Sequence, residues 1–403
     1  MHVLLLNQYY PPDTAATAKM AALIAETLAA RHHVTVLAGR PSYDPSDYHP
    51  YYLLRRELCG AVTIERVGST AYPRFRMRQR VSNYVSYLAL AVPRALVARA
   101  DVILAMTDPP VAGIAGALVA SLRGKPFVYN IRDLYPDMAL GGGIIRAGWF
   151  ARLWERWHRW ALRRAARVIV LGEDMRERII AKGVAPERVI LVRDGAPIPE
   201  MLPAPGHPVT EQIRCGFPFV LLHAGNLGFY GAWETLLAAA QKLHAASRGQ
   251  IGLVFVGEGA ARLRLEAAAA KNGASVRFLP FRPADEVPYV LAAADLHVIS
   301  VRRGLEGVVV PSKMYPILAA GRPILAVAPD ESDVVRIVRR VGCGVTADPD
   351  DPDSVVRAVQ DVYQDKTRLA EMGRRAREAA REYDRVNQLQ KFVETVESLA
   401  ANR

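Results

Sequence analysis

Two short stretches carry residue types and spacing suited to handling a phosphate: Pro311-Ser312-Lys313 and Gly225-Asn226-Leu227-Gly228. Each follows a short apolar run and opens a helical pattern, so each presents backbone N–H groups that have no helical partner. Amides and helix dipole together stabilise an anion at such a point. Proline sets φ for a helix start, and serine is a good N-cap. The Lys313 ammonium beside that turn can neutralise charge developing on a departing diphosphate. Gly225 and Gly228 allow close backbone approach and positive φ, and the Asn226 amide can hydrogen-bond a phosphate oxygen. Either stretch alone also reads as an ordinary strand–helix turn, with Lys313 a surface lysine. Together they point to a diphosphate held between two loops.

Gly257-Glu258-Gly259 ends another apolar run and opens the next helical pattern. Open α/β sheets bind ligands at the carboxyl ends of their strands, which is where all three loops fall. Short apolar runs at 3–6, 34–38, 102–105, 127–131, 168–171 and 189–192 read as strands of a parallel sheet covered on both faces. Helical periodicity fills 15–31 and 110–123. A Pro-rich stretch at 195–217 breaks the rhythm and reads as a linker without a core element. The alternation then resumes, with strands at 219–223, 252–256, 276–279, 296–300, 324–327 and 344–347, and helices at 233–246 and 260–272. The final segment, 389–399, is amphipathic. The expected class is α/β, with two doubly wound domains. These span 1–200 and 218–384.

With 403 residues and 51% hydrophobic content, the chain is long enough for two cores. The opening apolar run is short and is followed at once by Asn7-Gln8-Tyr9-Tyr10-Pro11-Pro12, so it reads as a strand rather than a signal peptide. No apolar run reaches the roughly eighteen residues of a spanning helix. Cys59, Cys215 and Cys343 fit neither a disulfide framework nor a zinc pattern and suit a reducing cytoplasm. Asp348-Pro349-Asp350-Asp351-Pro352-Asp353 reads as a turn and helix cap, and no metal site is expected.

The formal net charge is +12, weighted to the first half. The basic residues are interleaved with aromatics, which favours an anionic membrane surface over nucleic acid. On a helix from 146 to 164, Trp149, Phe150, Leu153, Trp154, Trp157 and Trp160 share one arc, while Arg152, Arg156, Arg159 and Arg163 share its neighbour. Trp beside Arg suits a headgroup interface. Tyr72-Pro73-Arg74-Phe75-Arg76-Met77-Arg78 forms a second such patch. The competing reading is a core-packed helix with a solvated arginine face.

Pro311-Ser312-Lys313, followed by Ala319-Ala320-Gly321-Arg322-Pro323, resembles the retaining glycosyltransferases of family 4, the glycosyl transferase group 1 proteins. Asn130-Ile131-Arg132-Asp133-Leu134-Tyr135-Pro136-Asp137 is similar to that family's Asp-Leu-Tyr/Trp-Pro-Asp/Glu stretch. The resemblance implies a GT-B fold: two Rossmann-like domains facing a central cleft, with a last helix, 385–403, crossing back to the first domain. It implies a nucleotide-sugar donor and a saccharide acceptor. Family members with this Pro-Ser-Lys motif often build surface polysaccharides such as O-antigen or capsule on a polyprenyl diphosphate. That would put the chain in the cytoplasm, peripheral on the inner membrane surface.

Carried over residue by residue, the donor would meet Thr14, Ala15, Gly225, Asn226, Gly228, Gly257, Glu258, Gly259, Pro311, Ser312 and Lys313. Arg282 in Leu279-Pro280-Phe281-Arg282-Pro283 reads as a base contact or as a solvated loop charge. Asp133 reads as the group that orients the acceptor hydroxyl or as a turn cap; with Lys313 it forms the expected catalytic pair. Arg76, Arg78, Trp149, Arg152, Trp157 and Arg159 are the membrane and acceptor candidates. The chain departs from the pattern where the family's Glu-x7-Glu pair falls on Val308 and Pro316; Glu306 is the available substitute. The basic pair often found after the first glycine loop is also missing, leaving Arg302 and Arg303 as further phosphate candidates. Two rivals remain: a nucleotide-sugar epimerase of the same fold, and a nucleotide-sugar-binding subunit without catalysis.

Overall fold

The computed structural model describes residues 1–43, 51–73, 76–203, 206–271 and 275–399. Arg74, Phe75, Ala204, Pro205, Asn272 and 400–403, on which parts of the readings above fall, lie outside the described residues. The chain forms two compact units. One comprises Met1–Arg193 with residues from Asn387 onward, the other Asp194–Val386.

The first unit contains β1 (His2–Leu6), β2 (His33–Ala38), β3 (Leu54–Cys59), β4 (Val62–Val67), β5 (Val102–Ala105), β6 (Phe127–Asn130), β7 (Arg167–Val170) and β8 (Val189–Leu191). They form an 8-stranded sheet in the order β3-β4-β2-β1-β5-β6-β7-β8. Neighbours run parallel except β3 and β4, an antiparallel hairpin turned at Gly60, whose φ is 57°. Sequence reading misses this hairpin. β3 is an exposed edge strand with no apolar run, and β4 carries Glu65 and Arg66 at buried positions. Glu65 is satisfied by two 2.7 Å bonds from Arg94, and Arg66 Nε by Glu57 at 3.1 Å. Charge on an edge also blocks further strand addition.

Val3, Leu5, Val34, Val36, Val102 and Leu104 form a buried core with Phe392, Val393 and Val396 of the helix Arg385–Glu397. The last helix therefore completes the core of the unit that contains the first strand.

The second unit contains β9 (Phe219–Ala224), β10 (Ile251–Val256), β11 (Val276–Leu279), β12 (Leu296–Ser300), β13 (Ile324–Val327) and β14 (Gly344–Ala347). The sheet runs β11-β10-β9-β12-β13-β14, with every paired strand parallel. In order of sequence this is 3-2-1-4-5-6, the order of dinucleotide-binding sheets. The stretch read as a linker is not free of core elements. Pro208–Arg214 is a short helix whose Ile213 packs with Val220 and Leu222. Pro208 opens it where a missing N–H costs nothing, and His207 accepts from Val209 N at 3.3 Å.

Candidate active site

The order of the second sheet reverses at β9, which lies between β10 and β12. A ligand crevice is expected outside the carboxyl ends of strands at such a switch point. Gly225 follows β9, and the segment from Val301 to Lys313 follows β12. These two loops meet: a Cβ on Gly225 would lie 3.2 Å from Lys313 Nζ. Lys313 Nζ is itself 2.9 Å from His223 Nε2. His223 is fully buried near the end of β9, with Nδ1 3.3 Å from the Val298 carbonyl on β12. Nδ1–H therefore donates to Val298, leaving the Nε2 lone pair to accept from Lys313. Burial, reinforced by the Lys313 charge, pushes His223 well below its ordinary 6.5 and keeps it neutral. Burial also pushes the Lys313 ammonium from 10.5 down to about 7.

The glycine loops interlock around this pair. Gly225 N donates to Val256 O at 2.9 Å, Leu227 N to Glu258 O at 2.8 Å and Ala261 N to Leu227 O at 2.9 Å. A Cβ on Gly257 would stand 2.0 Å from Gly225 O, and one on Gly259 2.5 Å from Asn226 Oδ1. Both have positive φ, 150° and 155°, so a side chain at either fails on space and on conformation. Trp233 closes the far side of the loop. Its Nε1–H donates to Gly228 O at 2.6 Å, and its ring meets His223 edge-on at 4.8 Å.

The remaining donor candidates are placed less centrally. The helix after Pro311 is Met314–Ala319, with Lys313 at the cap position and no side-chain cap. Ser312 is exposed and is not the N-cap expected from sequence. Its carbonyl instead accepts from Tyr315 N at 3.3 Å. Glu258 pairs with Arg262, and Arg282 Nη1 reaches Glu286 at 3.5 Å. Glu306 is half-buried and accepts from Gly304 N at 2.7 Å. Val308 lies in the core and Pro316 within the short helix. Arg303 pairs on the surface with Asp348 and Asp350 at 2.9 and 2.6 Å. Asp351 caps the helix Pro352–Tyr363, as a turn-and-cap reading of that acidic stretch requires. Sequence reading passes over His223 as a site residue; its signal is a lone polar side chain at the inner end of an apolar strand.

The first unit also has a switch point, between β1 and β5, where Gln8 N donates to Asp108 O at 2.7 Å. Thr14 is exposed, whereas Ala15 packs on Tyr9 and Ala18. Asp13 holds the loop by accepting from Ser42 N and Tyr43 N at 2.9 and 2.8 Å. Asp133 is half-buried in the loop after β6. The next helix, Asp137–Gly141, has Pro136 at its cap position and no side-chain cap, so Asp133 does not cap that helix. Burial raises the Tyr135 phenol, the charges of Asp133 and Asp108 and the Tyr84 hydroxyl raise it further, and Arg80 opposes them. These groups share one neighbourhood.

Two family models cover most of the chain: the glycosyl transferase 4-like domain over residues 16–195 and the glycosyl transferases group 1 over 210–382. The chain belongs to the glycosyl transferases group 1. It is 25% identical over 416 residues to the "Putative colanic acid biosynthesis glycosyl transferase WcaI" of Escherichia coli (strain K12), covering 98% of this chain and 100% of that one. The sucrose-phosphate synthase of Thermosynechococcus elongatus superposes with a TM-score of 0.77 at 17% identity, each chain covered in full (100%). HepE of Anabaena, crystallised in complex with UDP, superposes at 0.70 and 19% identity, with 99% of this chain and 100% of that chain covered. The fold is GT-B.

In this glycosyltransferase the helix Trp149–Arg164 buries Ala151, His158, Ala161 and Leu162. Its aromatic arc is only partly packed, with Trp154 and Trp160 half-buried. Trp149 is 72% exposed and Trp157 50%, with Phe150 and Leu153 also open. Arg152 and Arg156 are exposed beside them, while Arg159 pairs with Glu155 at 2.6 Å. Arg76 and Arg78 are exposed at the start of the helix Met77–Val97. Among the described residues no helix is long and apolar enough to cross a membrane.

Proposed function

We propose that this glycosyltransferase moves a hexosyl group, with retention, from a nucleoside diphosphate to a saccharide carried on a polyprenyl diphosphate. The reaction would take place at the cytoplasmic membrane face, in surface polysaccharide synthesis. The observation that carries the reading is the Lys313 ammonium set against Gly225 at the switch point of the second sheet. The bond from sugar C1 to the diphosphate breaks, and the acceptor oxygen bonds C1 on the same face. The acceptor's proton passes to a diphosphate oxygen, so no protein nucleophile is needed. The protein contributes position and charge. Lys313 neutralises the leaving group without a metal, the Asn226 side-chain amide hydrogen-bonds it, and Asp133 orients the acceptor hydroxyl. HepE's complex with UDP supports the donor class, and WcaI's name supports the pathway class. The exposed Trp and Arg of Trp149–Arg164 support work at a membrane surface.

The test is a panel of UDP-, GDP- and dTDP-sugars, with liposomes carrying polyprenyl-diphosphate saccharides, in the presence and absence of EDTA. Saturable binding of one donor, with EDTA-insensitive product only on the lipid acceptor, is the expected result. Donor binding without turnover on any acceptor would make the chain a binding subunit. Interconversion of free nucleotide-sugars would make it an epimerase.

A further inference from the structure

The first unit carries an apolar groove of 740 Å³ along the helices Met77–Val97, Ala112–Leu122 and Trp149–Arg164. That volume falls within the roughly 300–1,000 Å³ of small-molecule sites. Val85, Leu88, Ile114, Leu118, Trp154 and Trp157 are among its lining residues. Leaving such a trough to water is costly.

The groove also holds a small polar cluster. Arg80, Tyr84 and Tyr135 line it too, with Arg80 Nη2 donating to Tyr84 Oη at 3.2 Å. Arg80 Nε is buried and has no hydrogen-bond partner. Tyr135 stacks on Trp154 at 5.8 Å and 10°, two residues along the chain from Asp133. Arg76 and Arg78 are exposed at the same end of their helix as Arg80. A concave apolar trough with cationic groups at one part of its wall complements a single hydrocarbon chain that ends in a phosphate. A flat bilayer surface would be met by a convex face instead.

We infer that this groove seats the first isoprene units of the acceptor's own prenyl chain, with Arg80 and Arg76 meeting its diphosphate and the saccharide running on toward Asp133. The inference rests on the acceptor class proposed above and adds where and how the lipid is held.

The test uses the full chain and a geranylgeranyl diphosphate carrying a nitrobenzoxadiazole at its far end, which brightens on entering an apolar site. Leu118→Glu and Val85→Glu place a carboxylate in the trough at positions exposed enough to leave the fold intact, which matched melting curves would verify. Each should weaken binding of the probe by about tenfold or more. Arg80→Gln should bring the affinity for the probe toward that of the matching prenyl alcohol, and leave the affinity for the alcohol unchanged. Unchanged affinity in both carboxylate variants would overturn the inference. So would displacement of the probe by phosphatidylglycerol vesicles lacking any prenyl lipid, or by an amphipathic peptide, as readily as by unlabelled geranylgeranyl diphosphate. Donor binding is measured on the same preparations. Its absence in the unmodified protein would defeat the proposed function, whereas intact donor binding with a groove that ignores the probe defeats only this inference.

Discussion

Lys313 aims its ammonium at the one ring nitrogen of His223 that carries a lone pair, 2.9 Å away, while the other ring nitrogen is tied to Val298. The imidazole is thus a neutral acceptor that fixes where the lysine points. Lys313 loses its proton at about 7 in the empty protein, and an arriving diphosphate restores the ordinary preference for the charged form. Donor binding as proposed should therefore take up a proton. Affinity should fall by up to about tenfold per pH unit as pH rises from about 7 toward 9. Calorimetry in buffers of different ionisation enthalpy reads this directly, and Lys313→Arg, charged throughout, should abolish the proton uptake. Binding with no proton uptake in the unmodified protein would mean that Lys313 does not face the diphosphate.

The same lysine shapes the stability of the empty protein. Its folded-state pKa lies below its unfolded one, so between about 7 and 10.5 the unfolded chain binds the extra proton. Stability should rise with pH across that window. Urea melts at pH 7 and 9 should show the rise in the unmodified protein and a reduced one in Lys313→Met.

His223 is buried against Lys313, so under the proposed function it should act through that lysine. His223→Leu keeps an apolar fill against Trp233 and removes the acceptor. A fall in kcat of about ten- to a hundredfold is expected from the misplaced ammonium. The pH midpoint of donor binding should move with it, which mere loosening of the core would not produce.

The glycines at 257 and 259 test the loop geometry. Gly259→Ala would force a methyl into Asn226 Oδ1 and the Leu227 carbonyl at a φ of 155°. A loss of about 1–3 kcal/mol in unfolding free energy is expected, with donor affinity falling further than the melting temperature would suggest. An alanine variant that binds donor normally would show that these loops do not cradle it.

Arg152 and Arg156 stand exposed beside the aromatic face. Neutralising both to Gln should cost about 1 kcal/mol per residue of binding to anionic vesicles, and less as salt is added. Sedimentation with phosphatidylglycerol vesicles measures it, and soluble-donor binding should not change.

His158 is buried with neither ring nitrogen hydrogen-bonded, and burial, reinforced by the Lys182 charge, lowers it to about 3. As pH falls below the unfolded-state 6.5, the unfolded chain takes the proton first, so stability drains away until about 3. At pH 5 the loss from this residue is about 2 kcal/mol. His158→Leu should remove that part of the acid sensitivity in denaturant melts at pH 5 and 7.

What could be read from residue order differs by type of signal. The parallel strands were legible as short apolar or β-branched runs: 102–105, 276–279, 296–300, 324–327 and 344–347 coincide with β5 and β11–β14, although the edge strands β11 and β14 are only partly buried. The β3–β4 hairpin was not, because an edge strand needs no apolar face and its buried charges are satisfied only in three dimensions. Lys313 and Gly225 were legible as loop residues. Their contact was not, since it depends on β9 and β12 being neighbours in the sheet. His223 stood out only as a lone polar residue ending an apolar strand; its partners Val298 and Lys313 come from elements that the fold brings beside it.

The helix Arg385–Glu397 fills the core around β1 with Phe392, Val393 and Val396, yet it follows the whole of the second unit in the chain. On a ribosome the first unit therefore emerges without the helix that completes its core, which is made only after nearly all of Asp194–Val386. At ordinary elongation rates that delay is on the order of tens of seconds. For this protein the half made first is the half finished last. A nascent chain stalled before Arg385 should hold a folded second unit behind a first unit that still exposes apolar surface.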